Sequence, residues 1–148
     1  LGLAFARYKN MAAYCAAAVT VTVDQEVRLE RIWLAADAGL VINPDGIVNE
    51  LEGGAIQGAS WTLKEQVRME GPGITSLDWE SYPILRFSEV PEIVTRLTGS
   101  PHDAALGVGE CSVGPTAAAI GNAVAHALGT RIHDMPLTRE RIASTLLR

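Results

Sequence analysis

Val19, Val21 and Val23 alternate with Thr20 and Thr22, a period of two in β-branched residues that predicts a strand with one face towards a core. The polar triplet Asp24-Gln25-Glu26 turns the chain, and Val27 to Ala35 resumes as an antiparallel partner. Its alternation slips one phase near Glu30-Arg31, where we expect a β-bulge. Residues 1 to 42 read mostly as strand. From Asn43 the period changes: Ile47, Val48, Leu51, Ala55, Ile56, Ala59 and Leu63 recur at helical spacing and predict a helix to about Val67. Asn43 suits the N-cap and Pro44 the first turn.

Gly53, Gly54 and Gly58 lie inside that helix, where each costs about 1 kcal/mol relative to alanine. Their clustering implies that something presses on the helix, a neighbouring backbone or a ligand, and the pattern alone weighs the two equally. The charged run Lys64-Glu65-Gln66-Val67-Arg68 reads as a solvated helix end. Gly71-Pro72-Gly73 breaks the chain, and Tyr82-Pro83-Ile84 and Val90-Pro91 are extended. Ile93 to Leu97 is a short strand, and a loop from Gly99 to Ala105 leads to Gly107-Val108-Gly109-Glu110. A last long helix runs from Pro115 to Leu128, with Ile120, Val124 and Leu128 as its stripe among alanines and Gly129 as its C-terminal cap. A terminal helix starts near Thr138. The fold class expected is α+β: antiparallel strands packed with a glycine-rich helix and a small-residue helix, within a larger domain.

The chain has 148 residues, about one domain, and opens at Leu1 directly in a strand-like run, so we expect a fragment of a longer chain. A net charge of −5 and a pI near 5.1 argue against nucleic acid or an anionic membrane as partner. The longest nearly apolar run, Met11 to Val23, is too short to span a bilayer. Cys15 and Cys111 have neither a disulfide framework nor metal-ligand spacing. Cys15 reads as a buried reduced thiol, and Cys111, adjacent to Glu110, as a thiol lining the same pocket.

Glu110 is the strongest chemical candidate. Glycines beside a carboxylate let another group approach, and a helix entrance adds positive potential. General base, ligand and simple cap all fit, and capping is the safer reading of the residues alone. Gln57 offers an amide beside Gly58 that could hydrogen-bond a heterocycle, against the plainer reading of an amide satisfied by backbone. His126 reads as a partly buried helix residue. His102, His126 and His133 form no zinc spacing, no Ser/His/Asp arrangement is legible, and no phosphate-binding glycine loop follows a strand.

Several stretches, in consistent order through the whole chain, carry a resemblance. They are Asn43-Pro44 with Leu51-Glu52-Gly53-Gly54-Ala55-Ile56-Gln57-Gly58, then Asp78-Trp79-Glu80-Ser81-Tyr82-Pro83, then Arg86-Phe87-Ser88-Glu89-Val90-Pro91, and Gly107-Val108-Gly109-Glu110 before the alanine-rich helix. Together they resemble the C-terminal part of the molybdenum-binding large subunit of the xanthine dehydrogenase and aldehyde oxidase family, closest to the isoquinoline 1-oxidoreductase and nicotinate dehydrogenase types.

The resemblance implies that residues 1 to 148 are the C-terminal segment of a molybdopterin-binding domain. It makes Glu110 the general base on a molybdenum-bound hydroxyl in the hydroxylation of an N-heteroaromatic or the oxidation of an aldehyde. Gln57 would hydrogen-bond the pterin, with backbone near Gly109 and Ser112 also facing the cofactor. The cofactor implied is molybdenum-molybdopterin, its cytosine dinucleotide form left open, and no residue of this chain is expected as a metal ligand. Partners implied are the remainder of the large subunit, an iron–sulfur subunit and a small-molecule substrate. After the base many members continue with prolines, whereas this chain has Cys111-Ser112-Val113-Gly114, as only some of the bacterial branch do. The non-catalytic alternative is a split or degenerate module that packs into such a subunit.

Overall fold

In the computed structural model, which describes residues 1–147, four strands form one sheet backed by two helices. Strand β1 (Gly2–Arg7) pairs antiparallel with β2 (Tyr14–Val23), and β2 with β3 (Val27–Asp37). The expected bulge is present: Thr20 faces Arg31 but Val21 faces Leu29, leaving Glu30 as the extra residue. Its physical cause is visible in burial. Leu29 and Ile32 both point into the core, three residues apart, which a strict period of two forbids.

Helix α1 (Pro44–Leu63) starts as expected, with the Gly46 N–H donating to Asn43 Oδ1 at 3.1 Å. It ends four residues before the expected Val67. The Lys64 and Glu65 amides both donate to the Ser60 carbonyl, and the Thr62 carbonyl accepts from Leu137, so the last turn is closed from outside. The run from Lys64 is therefore not a solvated helix end: Lys64 pairs with Glu89, and Glu65 accepts from Tyr82 Oη at 2.9 Å.

The tiny strands β4 (Met69–Glu70) and β5 (Gly73–Ile74) flank the Gly71-Pro72-Gly73 break. Strand β6 (Glu92–Thr98) then pairs parallel with β3, so the sheet is not purely antiparallel. A parallel neighbour needs a crossover, which α1 and the long segment after it supply. Helix α2 (Val113–Leu128) begins two residues before Pro115 and ends at Gly129, whose φ of 70° is the left-handed cap expected there. Helix α3 (Arg139–Leu146) is capped by Thr138.

The core lies between one sheet face and the two helices. Cys15, Ala17 and Val19 of β2 and Ile32, Leu34 and Ala36 of β3 meet Leu51, Ala55 and Ala59 of α1 and Ala119, Ile120 and Val124 of α2. Helix α2 also serves β1, because Asn122 donates to the Leu3 carbonyl and the His126 ring meets the Leu1 carbonyl. His126 is thus an exposed edge contact rather than a partly buried residue. Among the described residues the outer sheet face has no such cover. Leu3, Phe5, Ala16, Ala18, Trp33 and Val94 line a shallow apolar groove of about 720 Å³, with Phe5 66% exposed. Among the described residues no helix is long and apolar enough to cross a membrane.

Cys15 and Cys111 are free, and both are core residues. Cys15 matches its expectation. Cys111 does not line a pocket with Glu110, because the turn before α2 directs its side chain inward, 3% exposed. Hydrogen bonding to Cys111 and burial push the Cys15 thiol well above its ordinary pKa. Both thiols should resist alkylation in the native protein at pH 8 and react on unfolding, measured by peptide mapping. Rapid native labelling at either position would contradict this packing.

Candidate functional site

The Gly107–Glu110 stretch is held by backbone on both sides. The Leu106 amide donates to the Ala38 carbonyl at 2.9 Å, just past the end of β3, and the Ala13 amide donates to the Gly107 carbonyl at 3.2 Å, just before β2. Beyond Gly107 the chain winds into α2: the Cys111 amide reaches Val108 at 2.8 Å and the Val113 amide reaches Glu110 at 3.2 Å. These bonds fix the Glu110 backbone at the positive end of a 16-residue helix.

The Glu110 side chain is exposed and does not cap that helix. Its Oε2 accepts from Tyr8 Oη at 3.1 Å. Nothing in the sequence singles out Tyr8, which lies 102 positions away. Tyr8 is half-buried at the end of β1, packed on the core.

Ser112 occupies the N-cap position of α2, but its hydroxyl is turned away from the helix amides. It is buried and donates to the Leu51 carbonyl of α1 at 2.8 Å, while its own carbonyl accepts from Thr116. This contact explains two of the three helix glycines. A Cβ at Gly54 would stand 2.5 Å from Ser112 Oγ, and one at Gly58 would stand 2.8 Å from the Val113 carbonyl oxygen. At Gly54 the pressing group is the Ser112 side chain, and at Gly58 it is the Val113 backbone, both at the start of α2. Gly53 is different, because among the described residues nothing outside its own stretch of helix backbone lies within 4 Å of where its Cβ would be.

Gln57 sits four residues after Gly53, on the same exposed stripe of α1. Gly107 and Gly114 are also exposed with open space beside them, and Gly109 lies against the Tyr8 phenol. The structure thus brings Tyr8, Gly109 and Glu110 together and ties Ser112 to α1, whose outer stripe carries Gln57. Beside them, Leu40, Ile42, Ile47, Leu106 and Val108 line an apolar recess of about 510 Å³. Among the described residues no group of three or more His, Cys, Asp or Glu side chains could hold a metal ion.

The profile of a molybdopterin cofactor-binding domain matches residues 5–91, more than half of the chain. The chain belongs to that family. Members of the family are molybdenum-dependent oxidoreductases. The chain is 38% identical to a nicotinate dehydrogenase subunit of Pseudomonas putida, over 98% of its own length and 13% of that protein's. It is 33% identical to the beta subunit of isoquinoline 1-oxidoreductase from Brevundimonas diminuta, over 93% of its length and 18% of that protein's. Quinoline 2-oxidoreductase from Pseudomonas putida 86 superposes with a TM-score of 0.80 at 29% identity, covering 92% of this chain and 19% of that one. The family's α+β architecture is the one expected from the sequence. The chain spans less than a fifth of the length of these relatives.

Proposed function

We propose that this chain is the C-terminal segment of the large subunit of a molybdenum hydroxylase, and that Glu110 is its general base. The observation that carries the reading is an exposed carboxylate on a pinned backbone at a helix entrance, with one oxygen held by Tyr8 and the other without a partner among the described residues. A carboxylate so placed can accept a proton at Oε1 from a group brought within about 3 Å. The relatives named above act on nicotinate, isoquinoline and quinoline, which supports oxidative hydroxylation of an N-heteroaromatic, with aldehyde oxidation as the related reaction.

The residues present fit a molybdopterin. A planar heterocycle rich in donors and acceptors needs bare backbone for close approach and an amide at its edge. Gly53, Gly107 and Gly114 leave open space, and Gln57 presents such an amide on the same stripe as Gly53. Backbone near Gly109 and at Ser112 would face the cofactor, while the Ser112 hydroxyl itself braces α1 against α2. When bound, the cofactor supplies the redox centre and the oxygen that is transferred. We infer that electrons leave through iron–sulfur clusters on a partner subunit. Gln57→Ala should lower the molybdenum content of the purified enzyme about two- to tenfold when cofactor is limiting, one hydrogen bond's worth. Metal analysis showing full occupancy would remove Gln57 from the cofactor site.

The uncovered outer face of the sheet favours a second reading, a module that only completes another chain's fold. Contiguous exposed apolar surface marks an interaction site, and we infer that the remainder of the large subunit covers this one. The two readings part at Glu110. In the complete enzyme, Glu110→Gln should keep its molybdenum and lose turnover. Unchanged turnover, or no molybdenum in either protein, would leave the packing module ahead.

A further inference from the structure

Tyr8 stands in an unusual piece of backbone. Lys9 and Asn10, the two residues after it, have φ of 49° and 59°, the left-handed region that asparagine tolerates and lysine disfavours. Such residues persist where the surroundings over-determine them, and they concentrate at functional sites. Here the surroundings are explicit. The Tyr8 amide donates to the Ala13 carbonyl at 2.9 Å, the Ala12 amide returns a bond to the Tyr8 carbonyl at 2.9 Å, and Ala13 itself donates to Gly107. The β1–β2 connection is thereby tied to the loop that carries Glu110, and the phenol is aimed across it. The Lys9 ammonium lies 5.0 Å from the centre of the Tyr8 ring and holds its face.

We propose that Tyr8 is a positioning residue for Glu110. Its hydroxyl donates to Oε2 and fixes the carboxylate rotamer, so that Oε1 is the oxygen presented to the reacting group. An exposed glutamate has three side-chain torsions, and leaving them free would dilute the reactive orientation among several rotamers. A half-buried phenol on a doubly bonded turn removes that freedom at the cost of a left-handed Lys9. The inference rests on the reading of Glu110 as the base.

The test compares wild type, Tyr8→Phe, Glu110→Asp and the double variant in the complete enzyme, with Glu110→Gln measured alongside. Tyr8→Phe keeps the ring and its packing and removes only the donor. It should lower kcat about tenfold, the loss of one hydrogen bond to a charged group, with KM, molybdenum content and thermal midpoint unchanged. Aspartate withdraws the carboxylate by one methylene, out of reach of the phenol, so Tyr8→Phe should cost little in the Glu110→Asp background. An equal loss in both backgrounds would overturn the proposal, because Tyr8 would then act independently of Glu110. So would wild-type kcat in Tyr8→Phe beside an inactive Glu110→Gln, or a kcat loss matched by loss of metal or of thermal midpoint. Full activity in Glu110→Gln would overturn the base assignment itself, which keeps the two failures separate.

Discussion

Replacing Glu110 by glutamine should lower kcat of the complete enzyme about 10²- to 10⁴-fold, the usual contribution of a positioned general base. The substitution is close to isosteric, and the side chain amide oxygen can still accept from Tyr8 Oη, so the geometry of the pair is conserved while the proton acceptor is lost. Because Glu110 is exposed and its backbone is fixed by bonds that do not involve the side chain, stability should change by no more than about 0.5 kcal/mol. Steady-state kinetics normalised to molybdenum content, together with a thermal melt, measure all three quantities. A loss of less than tenfold would assign the proton transfer to another group.

Gly39→Ala should be strongly destabilising. Gly39 is buried just beyond β3 with φ of +62°, and a Cβ there would stand 2.0 Å from the Ala104 carbonyl oxygen. The left-handed backbone costs a side-chain-bearing residue about 1–2 kcal/mol, and forcing a methyl against fixed backbone adds about 1–3 kcal/mol. The expected loss is therefore about 2–5 kcal/mol, read from the unfolding midpoint of the subunit. The consequence reaches the site. The Gly39 amide donates to Asp37 Oδ1 at 2.9 Å, and the neighbouring Ala38 carbonyl receives the Leu106 amide just ahead of Gly107. Displacing Ala104 moves the strap that delivers Glu110, so turnover should fall with stability. A variant with wild-type midpoint and turnover would show that this loop is not held at Gly39.

Much of the fold was legible because it is local. The β2–β3 pair is joined by a short polar turn, and its bulge announces itself as two core-facing residues three apart, Leu29 and Ile32. The start of α1 is written in Asn43-Pro44, and the end of α2 in Gly129. The parallel pairing of β6 with β3 was not legible. Its partners, such as Ile32 and Ile93, are separated by the whole of α1 and the loop after it, and a strand's own alternation does not name its neighbour. The premature end of α1 likewise depends on distant partners, Glu89, Tyr82 and Leu137.

The site divides along the same line. By itself the sequence determined the candidate base, Glu110, the candidate amide, Gln57, and the family, because those rest on residue type and order. It also determined that α1 carries glycines that something must approach. Only the tertiary structure decided what approaches each: the start of α2 at Gly54 and Gly58, and none of the described residues outside its own helix at Gly53. Only the tertiary structure turned Cys111 inward, gave the Ser112 hydroxyl to Leu51, and set the Tyr8 phenol on the Glu110 carboxylate. The reason is physical. A capping residue or an alternating strand is specified by neighbours a few bonds away, whereas the direction of a side chain at an element's end is set by which distant backbone packs there.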